Sequence, residues 1–176
     1  MKNMDKLTKL AIKYKTDKWG KHHYTPHYYK MFQNKAKRKK VKKVLEIGVG
    51  EGAGLRMFRD FFSNAIVYGA EVDEKRVFIE DGVQIFRCDQ TNEDDLLWLV
   101  QKTGIDLDLI IDDGSHKPKD QVFTCLTLLL AMKKGCAYVI EDVADLSILE
   151  PIKKYFNPEV VHCGKRYDDR LVIIKK

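Results

Sequence analysis

Apolar positions along the chain form two kinds of pattern, short continuous runs and helically spaced sets, separated by glycine or acidic residues. The runs predict strands at 44–47, 65–70, 83–87, 107–111, 137–140, near 160 and at 171–174. The spaced sets predict helices at 3–15, 55–62, 92–100, 119–133 and 146–155. Alternation of the two predicts a Rossmann-like α/β fold with a mostly parallel seven-stranded sheet and helices on both faces. The last connection is too short for a helix, so the last strand should run antiparallel.

Residues 44–54 are the central stretch of the chain. A short apolar strand holding one acid runs into the glycines Gly48, Gly50, Gly52 and Gly54, and a helix follows. Such a turn brings the unpaired backbone N–H groups of a helix N-terminus close to a ligand above the strand. The glycines predict a nucleotide-like ligand without choosing it, since they also satisfy the nicotinamide dinucleotide pattern.

The acidic and amide residues around this turn narrow the choice of ligand. Glu46 stands two residues before the glycines, where a dinucleotide fingerprint usually has an apolar residue, and its carboxylate suits a ligand with an amino group, such as S-adenosylmethionine. Glu71 and Asp73 follow the second strand, where an acid accepts both hydroxyls of a ribose. Asp89 and Gln90 follow the third strand and are placed to reach an adenine edge.

Two pairs of acids end neighbouring strands farther along the chain. Asp112 and Asp113 follow the fourth strand, with His116 close behind, and Glu141 and Asp142 follow the fifth. Hard oxygen ligands on neighbouring strand ends suit Mg²⁺, and a histidine beside them suits proton transfer. The simpler interpretation is that the acids cap the following helices and that the histidine is an ordinary loop residue.

Residues 15–29 concentrate three histidines, three tyrosines and a tryptophan. They predict either a lid or pocket wall or an aromatic helix start packed on the core. A zinc site is disfavoured, because no cysteine lies near and the histidines lack a partner pair elsewhere. We expect an N-terminal helical lid segment at 1–40 and a ligand-binding domain at 41–176, together forming one compact domain.

Composition and charge set outer bounds on these hypotheses. The chain of 176 residues is 44% hydrophobic and 33% charged, and it shows no apolar run long enough to cross a bilayer and no signal-peptide pattern. Its four cysteines lack C-x-x-C spacing, which favours a reducing, cytoplasmic setting. The net charge is +6, but seven positive charges lie within 35–43, and without them the balance is −1. This basic run predicts either a phosphate or acidic partner or a solvated helix end.

Glu46-Ile47-Gly48-Val49-Gly50 resembles the first motif of the class I S-adenosylmethionine-dependent methyltransferases. By this resemblance Glu46 lies near the methionine part of the cofactor, the glycine turn runs along it, and Glu71 holds the ribose, with Asp73 as the alternative. Asp89 holds the adenine. The implied cofactor-binding residues are Glu46, Gly48, Gly50, Gly52, Glu71, Asp73, Asp89, Gln90 and Asp112.

A narrower resemblance rests on the order and spacing of several motifs: Thr16-Asp17-Lys18, His23-Tyr24, Tyr28, 45–54, 111–116 and 138–142. Together they are similar to the metal-dependent O-methyltransferases of macrolide sugar tailoring, which are related to the cephalosporin-hydroxylase-like group. The resemblance implies Mg²⁺ ligands at Asp113, Glu141 and Asp142, and His116 as general base. It places Lys18, His23, Tyr24 and Tyr28 at the lid or substrate side. The implied reaction is methyl transfer to a hydroxyl of a sugar-containing natural product, another small molecule or a glycan.

The chain lacks the N-terminal extension and insertions of larger family members, so its pocket is either open to a bulky acceptor or closed by a second subunit in a homo-oligomer.

Three other functions stay open. An RNA-modifying or nucleic-acid-binding protein using 35–43 is disfavoured, because no aromatic-interleaved basic strand accompanies the run. A nicotinamide-dependent oxidoreductase is disfavoured by Glu46 and the acid pairs. A cofactor-binding protein without turnover completes the set.

Overall fold

The computed structural model describes residues 4–176. Its helices are α1 (Lys6–Tyr14), α2 (Thr25–Phe32), α3 (Lys35–Lys40), α4 (Ala53–Phe61), α5 (Glu93–Thr103), α6 (Pro118–Ala131) and α7 (Leu149–Lys153). Its strands are β1 (Lys43–Ile47), β2 (Ile66–Glu71), β3 (Ile79–Glu80), β4 (Val83–Arg87), β5 (Leu109–Asp112), β6 (Ala137–Ile140), β7 (Glu159–His162) and β8 (Arg170–Lys175). Residue 3 of the expected first helix, and residues 1–3 of the expected lid segment, lie outside the described residues.

The strands form one sheet in the order β3-β4-β2-β1-β5-β6-β8-β7. The five central strands are parallel, whereas β8 runs antiparallel to both β6 and β7. The predicted α/β fold and the antiparallel last strand are therefore confirmed. The sequence pattern missed β3, a two-residue edge strand antiparallel to β4, because two residues are too few to show a period.

The sheet buries both faces. In β1 the side chains alternate, so that Val44 joins the core beneath α1, α2 and α4, while Leu45 and Ile47 join the core beneath α5, α6 and α7. A strand covered on both sides carries a continuous apolar run, which is the pattern seen in this sequence. Glu46 is the polar interruption of that run, and it is buried.

The N-terminal helices belong to the first of these cores. Helix α1 packs against α4 through Leu7 and Ala11. Two aromatic rings of α2 pack edge-on against rings at the end of α4: Tyr28 contacts Phe58, and Phe32 contacts Phe62. Burial of such large apolar surfaces ties residues 6–32 to the sheet. The stretch between α1 and α2 then reaches the carboxyl ends of the strands.

Two helices differ from the expectations. Helix α6 ends at Ala131 rather than at residue 133, and Gly135, with φ +101°, lies in the turn into β6, where its N–H donates to the Lys176 carbonyl at 2.8 Å. The helix expected at 146–155 is a 3-10 turn followed by the five-residue α7. The first six residues of the basic run form α3 and its last residue, Lys43, begins β1, so the run lies at the amino-terminal end of β1, opposite the glycine turn. No helix within residues 4–176 is long and apolar enough to cross a membrane.

Candidate active site

A cavity of about 570 Å³ opens above the carboxyl ends of the central strands. From β1 the chain proceeds to β2 and β4 on one side, whereas β5 and β6 lie on the other, and such a reversal opens a crevice where α/β proteins bind ligands. The predicted site residues that line the cavity are Lys18, Glu46, Gly48, Gly50, Glu71, Asp89, Gln90, Asp113, His116 and Asp142. Those that do not line it are Gly52, Asp73, Asp112, Glu141, His23, Tyr24 and Tyr28.

The glycine turn after β1 packs against the ends of the two neighbouring strands, β2 and β5. Gly48 donates its N–H to the Ala70 carbonyl at 2.9 Å and has φ +77°, a backbone conformation that glycine adopts without strain. A Cβ on Gly48 would overlap the backbone of Asp113 and Gly114. Gly50, by contrast, has open space where a Cβ would stand. The turn is therefore packed on its inner side and free on the side that faces the cavity.

Glu71 joins the turn to the end of β2. One of its carboxylate oxygens accepts from the N–H groups of Val49 and Gly50 at 3.2 Å, and the other accepts from those of Val72 and Asp73 at 3.0 and 3.1 Å. The carboxylate is thus fixed at the cavity wall by four backbone donors. Asp73 instead accepts from the N–H of Lys75 and caps a 3-10 turn. Its expected role as an alternative ribose ligand finds no support in this position.

Asp89 and Gln90 stand on the β4 side of the cavity. Hydrogen bonds from the Thr91 hydroxyl and N–H lower the pKa of Asp89. Gln90 accepts from the Ser115 N–H at 2.7 Å and donates to Asp112 at 3.2 Å. Gln90 therefore braces the loop that carries Asp113 and His116.

Asp112 lies behind the cavity, although it was expected among the cofactor-binding residues. It shares the strand face of Ile110, so its carboxylate enters the second core and accepts from the Tyr138 hydroxyl at 3.1 Å. Burial raises the pKa of Asp112 to about 7. The acid that lines the cavity is its neighbour Asp113, because successive strand residues point to opposite faces.

Glu46 presents a buried carboxylate to the cavity. One oxygen lies 3.0 Å from the Lys18 ammonium, and the other has no hydrogen-bond partner within residues 4–176. Burial raises the pKa of Glu46. Gly54 leaves room for it, since a Cβ there would overlap the Glu46 carboxylate. A buried acceptor with a free oxygen fits the amino group of a ligand, which is the chemistry expected of S-adenosylmethionine.

Lys18 is itself buried, with 2% of its side chain exposed. Its ammonium lies 2.8 Å from Asp113 and 2.7 Å from Glu141, in addition to Glu46. Burial alone would lower the pKa of Lys18, but the three carboxylates outweigh it and hold the pKa above its ordinary value. The lysine therefore forms part of the cavity wall and is charged.

Asp113, His116 and Asp142 lie together at the opening of the cavity and are at least partly exposed. We call these three residues the open group. One ligand atom from each lies within 4.8 Å of the others, and the His116 Nε2 is 4.0 Å from both an Asp113 and an Asp142 oxygen. His116 and Asp142 have φ of +58° and +52°, a left-handed backbone that costs side-chain-bearing residues roughly 1–3 kcal/mol. Two carboxylates and an imidazole at such spacing fit a divalent cation or a polar substrate group.

Glu141 stands behind that group. The Tyr28 hydroxyl donates to one of its oxygens at 2.6 Å, and Lys18 pairs with the other. Burial raises the pKa of Glu141 to about 8. Its role as a metal ligand stays a prediction, and in this structure both of its oxygens face protein donors.

The two neighbouring histidines between α1 and α2 lie in different environments, and the expected lid or substrate role of His23 stays a prediction. His23 is exposed and packs edge-on against Trp19, away from the cavity. His22 is buried, with Nδ1 2.7 Å from Asp169 and 3.6 Å from Asp142, and its ring stacks on Tyr24. The Tyr24 hydroxyl donates to Asp142. The two-residue spacing of His22 and Tyr24, whose rings stack on one another, was the available signal for these two side chains.

The chain is similar in sequence to known O-methyltransferases. Over 144 residues the chain is 35% identical to the 8-demethyl-8-alpha-L-rhamnosyl tetracenomycin-C 2'-O-methyltransferase of Streptomyces olivaceus, covering 78% of this chain and 37% of that protein. It is 34% identical over 145 residues to the demethylmacrocin O-methyltransferase of Streptomyces fradiae, covering 78% and 36%. No protein-family model matches the chain.

A solved structure matches nearly the whole chain. The MycE methyltransferase from the mycinamycin biosynthetic pathway, in complex with Mg, SAH and mycinamycin VI, superposes with a TM-score of 0.80 at 25% identity. The match covers 98% of this chain and 55% of that one. The chain has the class I methyltransferase fold, and its relatives are sugar O-methyltransferases. This methyltransferase-like chain spans little more than a third of the length of the relatives it matches in sequence. CmcI, at 16% identity and a TM-score of 0.61, shares the fold alone.

Proposed function

We propose that the protein is an S-adenosylmethionine-dependent O-methyltransferase that acts, with Mg²⁺, on a hydroxyl of a sugar-containing small molecule or glycan. One observation carries the proposal: a single cavity joins the buried carboxylate of Glu46 to the open group of Asp113, His116 and Asp142. The first fits a cationic cofactor and the second fits an acceptor hydroxyl. The similarity to methyltransferases that act on glycosylated compounds supports the same acceptor class.

The cofactor side of the cavity would be divided among four groups of residues. Among the residues that line the cavity, Glu46 would accept from the amino group, the glycine turn would lie along the methionine part, Glu71 would hold the ribose, and Asp89 with Gln90 would hold the adenine. S-adenosylmethionine, when bound, supplies an electrophilic methyl group. The cavity volume is within the range of small-molecule sites, and the buried side chains of Glu46 and Lys18 form its inner wall.

The acceptor side would orient the hydroxyl and receive its proton. Asp113 and Asp142, which line the cavity, would hold Mg²⁺, with Glu141 as the third predicted ligand. The ion, when bound, supplies a Lewis acid that makes a neighbouring hydroxyl more acidic. His116 Nε2 is the base that faces the same space, between the two aspartates. Holding the nucleophile in line with the methyl group accounts for a further share of the rate.

The other interpretations of the sequence find less support. The basic run at 35–43 lies at the amino-terminal end of β1, opposite the cavity, and contributes no residue to the cavity lining. A nicotinamide dinucleotide carries no ammonium group that would donate to the free oxygen of Glu46. The four cysteines are free thiols, which favours a reducing compartment and thus a cytoplasmic location. A homo-oligomer that closes the cavity stays a prediction.

Two measurements test the proposal. Isothermal titration with S-adenosylhomocysteine is expected to give micromolar-range binding that Glu46→Gln weakens about tenfold or more, since the variant removes the charge facing the amino group. Glu150→Gln, an exposed position on α7, is the matched control. Turnover of rhamnosylated or other glycosylated acceptors should require Mg²⁺ and be abolished by Asp113→Asn, but not by Asp94→Asn on the surface of α5. Full activity in EDTA, or unaltered binding by Glu46→Gln, would contradict the assignment.

A further inference from the structure

We propose that Lys18 is a positioning residue whose single ammonium, shared by Glu46, Asp113 and Glu141, orients these carboxylates and weakens the binding of divalent cations beside them. The inference rests on the proposed function in one respect: it takes Asp113 as a ligand of the cation. It differs from the expectation that Lys18 belongs to a lid that contacts the acceptor.

The geometry ties Lys18 to both halves of the cavity. Its Nζ lies 3.0 Å from Glu46 at the cofactor side and 2.8 and 2.7 Å from Asp113 and Glu141 at the acceptor side. These distances are those of charge-assisted hydrogen bonds, and an ammonium has three donors for three acceptors. Within residues 4–176, Lys18 is the one lysine or arginine that pairs with any of these carboxylates.

Backbone hydrogen bonds within residues 11–24 hold the loop that carries Lys18. Its carbonyl accepts from the Tyr24 N–H at 3.0 Å, the Asp17 carbonyl accepts from the His22 N–H at 3.0 Å, and Thr16 donates back to the last turn of α1. The ammonium therefore comes from a fixed loop that connects two helices of the core. Such a side chain holds its partners in place whether or not a ligand is bound.

Charge explains why this arrangement affects a metal. Three carboxyl groups surround one ammonium in this buried wall, so acidic groups outnumber basic ones there, and Asp142 adds a further acid at the opening of the cavity. Removing the ammonium raises the negative charge that a divalent cation meets, and Coulomb interactions at these separations are strong when water is excluded. Lys18 thus lowers the affinity for the metal while it orients the ligands.

Titration of Mn²⁺, the probe for Mg²⁺, into the protein without cofactor tests this directly, since bound Mn²⁺ loses the electron paramagnetic resonance signal of the free ion. Lys18→Met is expected to bind Mn²⁺ about tenfold more tightly than the wild type. Lys18→Met/Glu46→Gln, which restores the charge balance without touching a proposed metal ligand, should return to near the wild-type affinity. Lys43→Met, at the opposite edge of the sheet, is the matched control and should leave the affinity unchanged.

A purely structural role of Lys18 predicts the opposite sign. If folded Lys18→Met binds Mn²⁺ equally or more weakly, the proposal is overturned. If Lys18→Met fails to fold, Glu46→Gln and the double variant are compared: tighter binding by the double variant supports the proposal, and equal or weaker binding overturns it. Binding of S-adenosylhomocysteine to the wild type, measured without metal, reports on the proposed function separately, so the two failures are distinguishable.

Discussion

Gly48 and Asp113 meet backbone to backbone, with no room for a Cβ between them. This contact sets the distance between the glycine turn after β1 and the acidic loop after β5, which are the two sides of the cavity. Because one is assigned to the cofactor and the other to the cation, their spacing decides whether both ligands fit at once. The contact is made by main-chain atoms, which have little freedom to adjust.

Gly48→Ala should therefore disrupt both stability and binding. The added Cβ overlaps the Asp113 carbonyl, and φ +77° is strained for alanine, so we expect a loss of roughly 2–4 kcal/mol in the free energy of unfolding. Binding of S-adenosylhomocysteine should fall about tenfold or more. Gly135→Ala has a comparable φ of +101° but open space around its Cβ, far from the cavity, and should show the strain alone. Equal effects of the two variants on binding would contradict this account.

Gly54→Ala should lower ligand affinity although it lies in a helix. Alanine in a helix interior stabilises by roughly 0.5–1 kcal/mol relative to glycine, and Gly54 lies in the first turn of α4, where at most that gain is expected. Here its Cβ would overlap the Glu46 carboxylate, which must move away from its place at the cavity wall. Titration calorimetry should show weaker binding of S-adenosylhomocysteine, comparable to that of Glu46→Gln. A more stable variant with undiminished affinity would show that Glu46 is free to move.

Tyr14 should contribute stability that depends on pH. Its hydroxyl donates to Asp60 at 2.6 Å, and this bond, with help from Lys13, lowers the pKa of Asp60 to about 2 from its ordinary 3.8. A lowered carboxylate pKa contributes stability that is fully present above about pH 4 and is lost as pH falls toward 2. Because Asp60 is partly exposed, we expect Tyr14→Phe to cost about 1 kcal/mol at pH 7.

Urea unfolding at pH 7, 4 and 3 measures that difference. The gap between Tyr14→Phe and the wild type should narrow at pH 3, whereas Tyr155→Phe, at an exposed position, should show no gap at any pH. A gap that is constant from pH 7 to pH 3 would assign the effect of Tyr14 to packing rather than to its bond with Asp60.

The four thiols should be unreactive in the folded protein. Burial raises the pKa of Cys88, Cys136 and Cys163 to about 12 and raises that of Cys125 as well. The reactive thiolate is therefore scarce at pH 8. Iodoacetamide should leave the native chain unmodified over an hour and alkylate all four cysteines in 6 M guanidinium, as read by intact mass. Rapid modification of Cys163, which is half-buried, would show that its environment opens.

The sequence by itself determined the alternation of strands and helices, the antiparallel last strand and the edge of the sheet where the cavity opens. These features follow from local signals, namely continuous apolar runs, helical spacing and glycine turns, and each is written within a few residues. It also placed Glu46, Glu71, Asp113 and His116 at that edge, because strand ends bring their following residues together whatever the packing.

Only the tertiary structure decided which of two neighbouring side chains faces the cavity and which is buried. Asp113 faces it and Asp112 enters the core, and the buried histidine is His22 rather than His23. These choices depend on the face of the sheet that each element covers, which neighbouring residues do not reveal. Lys18 shows the limit most clearly: its partners Asp113 and Glu141 lie 95 and 123 positions away in the chain. An ion-pair group of that kind exists only after the loop, the turn and two strand ends have packed together.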